Sequence, residues 1–239
     1  ATFIALSKVL QHRWKFTKRT VPKTATFFEK LETSISQEFI PNLLGLEHID
    51  DLSREIMALP VKKSELGLSN PVTTCSINFQ NSRASCSQLI DAFKGESPFR
   101  YVDHTKHVRS NWNAQRLRRN TDHDHTLTTL LARIPKPRKG EPDIPRIIRR
   151  ASETGACFST IPTNYNGNCL GRYEFQDCAR MRYGIPLELP EKCDGCGAKF
   201  SLEYALQCKH GGLPIGRHNE VVQTLCKFGI MAISDRNVQ

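Results

Sequence analysis

Nowhere do apolar residues run for the roughly 20 positions that span a bilayer. The best candidate, 39–46, is interrupted by Pro41 and Asn42. No secretory cleavage pattern follows the opening ATFIALSKVLQHRWKF. Strand signals are few, and helix is the dominant expectation. Acidic residues are in deficit, 24 against 34 Lys and Arg, for a net charge of +10. The nine cysteines (75, 86, 157, 169, 178, 193, 196, 208 and 226) are odd in number and scattered, which argues against a secreted disulfide scaffold. The expectation is an intracellular protein, nuclear or cytoplasmic and not secreted, with no membrane partner. Paired aspartates of the kind that hold magnesium at a strand turn are also lacking. The one adjacent pair, Asp50-Asp51, stands in LEHIDDLSREI, a helix-capping context.

What the sequence does have is helical periodicity. Phe3, Leu6, Leu10, Trp14 and Thr17 recur at spacings of three and four, with Lys8, Arg13, Lys15, Lys18 and Arg19 around them. A second helix is predicted to start near Thr20, to carry Phe27, Phe28, Leu31, Ile35 and Phe39, and to stop near Pro41. A short helix follows from Asp50 or Asp51 to Pro60, and 59–71 is an irregular crossing with Gly67 and Pro71 as breakers. One helix is predicted over 85–94. A long polar helix is predicted over 105–134, broken at Asn120-Thr121-Asp122, with DHDH (122–125) in a solvated loop. PKPRKGEP (135–142) reads as an extended linker. Helices then restart at 144–151 and 172–183, and 161–171 is turn-rich. The fold class is mainly α: a helical bundle and helical basic segment followed by a small metal-binding module.

The charge excess is concentrated. Residues 105–150 hold twelve Lys or Arg against four Asp or Glu. Such a surplus points to a polyanion, of which nucleic acid is the commonest. A solvated basic face without a partner is the competing reading; acidic lipid is weaker, because no apolar face with Trp or Phe anchors accompanies the charge. The candidate contacts are Arg109, Arg116, Arg118, Arg119, Lys136, Arg138, Lys139, Arg146, Arg149 and Arg150. Trp112 suits either stacking on a base or packing on the neighbouring bundle.

Metal chemistry is concentrated in the tail, EKCDGCGAKFSLEYALQCKHGGLPIGRHNE (191–220). Two residues between Cys193 and Cys196 let both thiolates reach one ion, and Gly195 and Gly197 allow the backbone to curl beneath it. Cys208 is the third candidate ligand of a structural Zn2+ site. The alternative is three reduced cysteines in a small core with Phe200, Leu202 and Leu206. For the fourth ligand, His210 is nearest in sequence and is slightly favoured. His218 has ten residues of slack, and a site too weak to fill is the third option. A hydrolase using His210, His218 and Glu220 lacks an evident general base.

This tail resembles the C-terminal region of reverse transcriptases from non-LTR (LINE-type) retrotransposons that carry a restriction-like endonuclease. In that family a Cys-Cys-His-Cys knuckle precedes a Gly-Gly and an Arg-His-Asn-Glu helix start. WKFTKRTVP…FEKLETSISQEFIPNLLG and LSREIMALPVKKSELGLSNP look like the thumb that follows the polymerase palm. RRASETGACFSTIPTNYNGNCLGRYEFQDCARMRYGIPLELP looks like the segment before the knuckle. The resemblance implies a thumb-like region over 1–71, a basic helical linker over 72–160, a pre-knuckle region over 161–192, a knuckle over 193–214 and the start of an endonuclease-like region over 215–239. It implies RNA or DNA as partner, together with polymerase domains lying upstream in the same polyprotein. The chain departs from the family in several places. Tyr204 stands where the family has the knuckle histidine, Ser64-Glu65 replaces a Gly-Gly, and a tryptophan near CFST is absent. A start without Met inside an amphipathic stretch fits a piece of something longer. Neither the palm aspartates nor a nuclease Pro-Asp is found, and Asp235 has no carboxylate partner. The expected function is nucleic-acid binding without a complete active site. A stand-alone zinc-stabilised binding or regulatory protein derived from such an element is the alternative.

Overall fold

A computed structural model describes residues 2–63, 66–138, 143–154, 169–210 and 213–236. The chain divides into two compact units, Ala1–Pro186 and Leu187–Gln239. The fold is mainly α. Among the described residues there is no strand, only an isolated antiparallel bridge between Lys192 and Lys199. No described helix is long and apolar enough to cross a membrane.

The first unit opens with a helical run over 2–20, π-helical at Ala5–Leu10 and interrupted by a turn at Trp14. Ala25–Phe28 is a 3-10 turn that leads into Glu29–Thr33, a π segment Ser34–Phe39 and Ile40–Leu44. This helix passes through Pro41 instead of stopping there. A proline ring would collide with the carbonyl four residues upstream, that of Gln37, and the π turn opens the helix at that place. The stop comes at Gly45, left-handed at φ 67, where the Leu46 N–H reaches back to the Pro41 carbonyl at 2.9 Å. Asp50 caps Asp51–Ala58, accepting from the Ser53 N–H at 2.9 Å and the Ser53 hydroxyl at 2.7 Å. Burial pushes the Asp50 carboxyl up, but these hydrogen bonds outweigh it and hold the pKa below its ordinary value. Gly67 is left-handed at φ 71, with a Cβ position only 2.8 Å from Val61 Cγ2.

One core joins distant parts of this unit. Phe3, Ile35, Ile40, Leu44, Ile56, Met57, Leu66 and Leu68 pack with Leu127, Leu130, Leu131, Ile148, Ala179 and Tyr183. Arg54 crosses it as a buried cation. Its Nε and Nη2 donate to Glu32 at 2.7 and 2.9 Å, and its Nη1 donates to the Leu68 carbonyl at 2.9 Å.

Two helices follow the irregular crossing, Cys75–Ser85 and Ser87–Phe93, where the sequence predicts one. Cys75–Ser85 is polar and weakly patterned. It is fixed by packing against Lys15–Thr20 on one side and Tyr101–Arg133 on the other, which is long-range information. Tyr101–Arg133 is a single 33-residue helix without the break predicted at 120–122, so DHDH is helical and not a loop. The Thr121 hydroxyl donates to the Leu117 carbonyl one turn back at 3.2 Å, so its polar side chain is satisfied inside the helix. Residues 135–138 have no regular structure. Ile144–Thr154 and Arg172–Tyr183 pack on each other, and Gly184 ends the second in the left-handed region at φ 65. Residues 139–142 of the predicted linker and 161–168 of the turn-rich segment lie outside the described residues.

Candidate metal centre and nucleic-acid interface

In the second unit the CDGC turn is built as its glycines suggest. The Cys193 N–H donates to the Ala198 carbonyl at 2.8 Å, and the Gly197 N–H donates back to the Cys193 carbonyl at 2.8 Å. Gly197 is left-handed at φ 70, and a Cβ on Gly195 would meet His210 Cβ at 3.1 Å. The Phe200 N–H reaches the Glu191 carbonyl at 2.9 Å and ties the base of the turn. Ser201 then caps Leu202–Gln207, its hydroxyl accepting from the Tyr204 N–H at 3.0 Å. Six residues of helix carry the chain to Cys208, whose N–H still bonds the Tyr204 carbonyl at 2.8 Å.

The result brings the sulfurs of Cys193, Cys196 and Cys208 within 4.8 Å of one another. Cys193 and Cys208 stand 3.8 Å apart, and Cys196 and Cys208 4.0 Å. A disulfide needs about 2.05 Å between sulfurs. With zinc–sulfur bonds of about 2.3 Å, the edge of a tetrahedron is about 3.8 Å. The observed separations would let the three sulfurs share one ion. Among the described residues this is the one group of three or more His, Cys, Asp or Glu able to do so.

Tyr204 belongs to the same centre. Its hydroxyl lies 2.6 Å from Cys196 Sγ, so the side chain at position 204 faces the cluster. The contact with Cys196, then that with Cys208, drives the phenol pKa far upward. The same hydrogen bond, followed by one from the Ala198 N–H, lowers the Cys196 thiol. The Gly195 and Cys196 N–H groups pull the Cys193 thiol down, but burial and the adjacent thiols outweigh them and its pKa is raised. The geometry is three sulfurs close together, with a phenol in contact with one of them. The His210 ring nitrogens are not among the grouped atoms, although the His210 carbonyl accepts from Cys208 Sγ at 3.7 Å. His218 and Glu220 are exposed on the helix Leu213–Arg236 and take no part in the cluster.

The basic residues are placed on the first unit. Arg109, Arg116, Arg118 and Arg119 are exposed along Tyr101–Arg133, with Trp112 55% exposed among them and the Arg116 guanidinium 5.9 Å from its ring centroid. Lys136 and Arg138 are exposed in the segment after this helix, and Arg146 and Arg149 are exposed on Ile144–Thr154. Lys139 and the side chain of Arg150 lie outside the described residues. The sequence reading of the basic segment left out Lys15, which stands beside Arg119: burial, then the charges of Arg119 and Arg19, hold its pKa below the ordinary value. The only hint in the sequence was the basic flank of the first helix. No family model matches the chain, and no curated protein or solved structure matches it.

Proposed function

We propose that this chain grips nucleic acid through the phosphates, by way of its basic helical segment, while Cys193, Cys196 and Cys208 hold a structural zinc that stabilises the second unit. The observation that supports this most is the row of exposed arginines on one continuous 33-residue helix. A polar helix that spends so many cations on solvent gains little stability from them, whereas a polyanion recovers the cost by counterion release. The three-sulfur geometry supports the zinc, which supplies folding energy to a small unit in which Cys208 is the one buried hydrophobic residue among those described. With the resemblance of its segments, in order, to thumb, linker and knuckle, the chain reads as the nucleic-acid-binding C-terminal region of a non-LTR retrotransposon RNA-directed DNA polymerase, without a complete active site in these residues.

Filter binding across a salt series tests the nucleic-acid reading. The affinity should fall steeply, with a log–log slope of about −0.7 per neutralised phosphate on a single strand. Replacing Arg116, Arg118 and Arg119 by Gln should weaken binding to all sequences alike, because no row of Asn or Gln accompanies them to read bases. A flat salt response would remove the reading.

A further inference from the structure

The exposed basic residues are not spread evenly around the long helix. Arg109, Trp112, Arg116 and Arg119 follow one another at spacings of three and four, which places them on one face. From 109 to 119 that face extends about 15 Å, the length of about four stacked nucleotides. Its far end meets the first helix for a structural reason. Asn111 donates to the Ala84 carbonyl at 3.1 Å, and Gln115 to the Asn81 carbonyl at 3.2 Å. Successive turns of the long helix thus meet successive turns of Cys75–Ser85 running the opposite way. The next turn brings Arg119 to the start of Cys75–Ser85, where Lys18 Nζ donates to Thr74 Oγ1 at 2.8 Å from the first helix. Lys15, one turn before Lys18, is exposed there beside Arg119 and Arg19.

We infer that Arg109, Trp112, Arg116 and Arg119, together with Lys15 of the first helix, form a track for single-stranded nucleic acid in which Trp112 stacks on an unpaired base. The inference rests on the nucleic-acid reading above and adds to it the form of the ligand. A duplex keeps its base faces stacked inside and offers Trp112 nothing but sugar and phosphate. A single strand offers both phosphate and a free base face. The Arg116 guanidinium over the indole restrains the ring while leaving it half exposed. Arg119 and Arg19 both act on Lys15 with like charge, so this end of the track gathers positive charge that a polyanion would offset. On the long helix, Asp124 is paired with Lys63, and Asp122 follows Arg119 by three positions, just past the end of the track.

The test uses the full chain, a fluorescent 12-mer of deoxythymidine, the corresponding 12-base-pair duplex and vesicles containing phosphatidylserine, all at one salt concentration. Trp112→Ala should weaken binding to the 12-mer about fivefold or more and leave the duplex affinity unchanged. Trp112→Phe, which keeps a ring, should retain most of the affinity and so separates stacking from loss of structure. Lys15→Gln should reduce the magnitude of the single-strand salt slope by about 0.7. Trp112→Ala binding the 12-mer within twofold of the wild type would overturn the track while leaving phosphate binding intact. Equal losses for Trp112→Ala and Trp112→Phe would overturn it as well, and so would Trp112-dependent binding to the vesicles alone. If the wild-type chain binds neither oligonucleotide, the nucleic-acid reading falls and the track with it.

Discussion

Arg54 is the residue whose loss the first unit should tolerate least. It is buried, 7% exposed, and joins three segments: Glu32 from the second helical run, its own helix Asp51–Ala58, and the Leu68 carbonyl from the crossing that follows. Arg54→Met keeps most of the volume and removes all three donors. It leaves Glu32, whose side chain is 16% exposed, without its cation, and the Leu68 carbonyl without a partner. Breaking a buried pair by removing one side costs about 3–5 kcal/mol. The partial exposure of Glu32 favours the lower end, so the expected loss is about 3 kcal/mol. That is a large part of the 5–15 kcal/mol that typically separates folded from unfolded chains. In urea, with a slope of about 2 kcal/mol/M, the midpoint should fall by roughly 1.5 M. Arg54→Lys supplies a single point charge in place of a planar fork and should recover only part of the loss. Arg54→Met unfolding within about 0.5 kcal/mol of the wild type would refute the reasoning, and would mean that the pair is wetter in solution than its burial indicates.

Other expectations follow from single contacts. Asp50→Ala should cost about 1 kcal/mol by removing the cap on Asp51–Ala58. Because the folded carboxyl has a lowered pKa, its contribution is present at neutral pH and is lost as pH falls below about 4; denaturation of both forms at pH 7 and pH 2.5 should show the difference between them shrink. Gly184→Ala places a Cβ in a left-handed position 2.9 Å from Ile144 Cγ1, for a loss of about 2 kcal/mol, seen as a fall in Tm of roughly 4–8 °C. Tyr204→His, at the side chain that already faces the cluster, exchanges a protonated phenol for a good zinc ligand and should raise zinc affinity in competition with a chromogenic chelator. Equal affinity in the two proteins, with loss on His210→Ala, would place the fourth ligand at His210 instead.

The sequence was most legible where local chemistry decides the structure. Asp50 caps its helix as its setting suggests, Gly67 is a breaker because no Cβ fits beside Val61, and the CxxC turn brings two thiolates together. Cys208 joins them because a six-residue helix measures the return, a distance that cysteine spacing suggests without fixing. Less legible was whatever depends on distant partners. Cys75–Ser85 has no strong apolar face, and two helices that pack on it from far away in the sequence hold it in place. Pro41 looked like a stop because its remedy, a π turn, leaves no mark in composition. The proximity of Lys15 and Arg119 is likewise set by a third helix, so the two charges appear unrelated in the sequence.

The central claim is that Cys193, Cys196 and Cys208 hold zinc. Its most direct test is X-ray absorption at the zinc edge on the zinc-loaded full chain, with metal stoichiometry measured on the same sample. The account predicts one zinc per chain with three sulfur neighbours at about 2.3 Å, and loss of that shell when any one of the three cysteines is replaced by serine. Zinc bound without sulfur in its first shell, or an unchanged spectrum in Cys208→Ser, would contradict it.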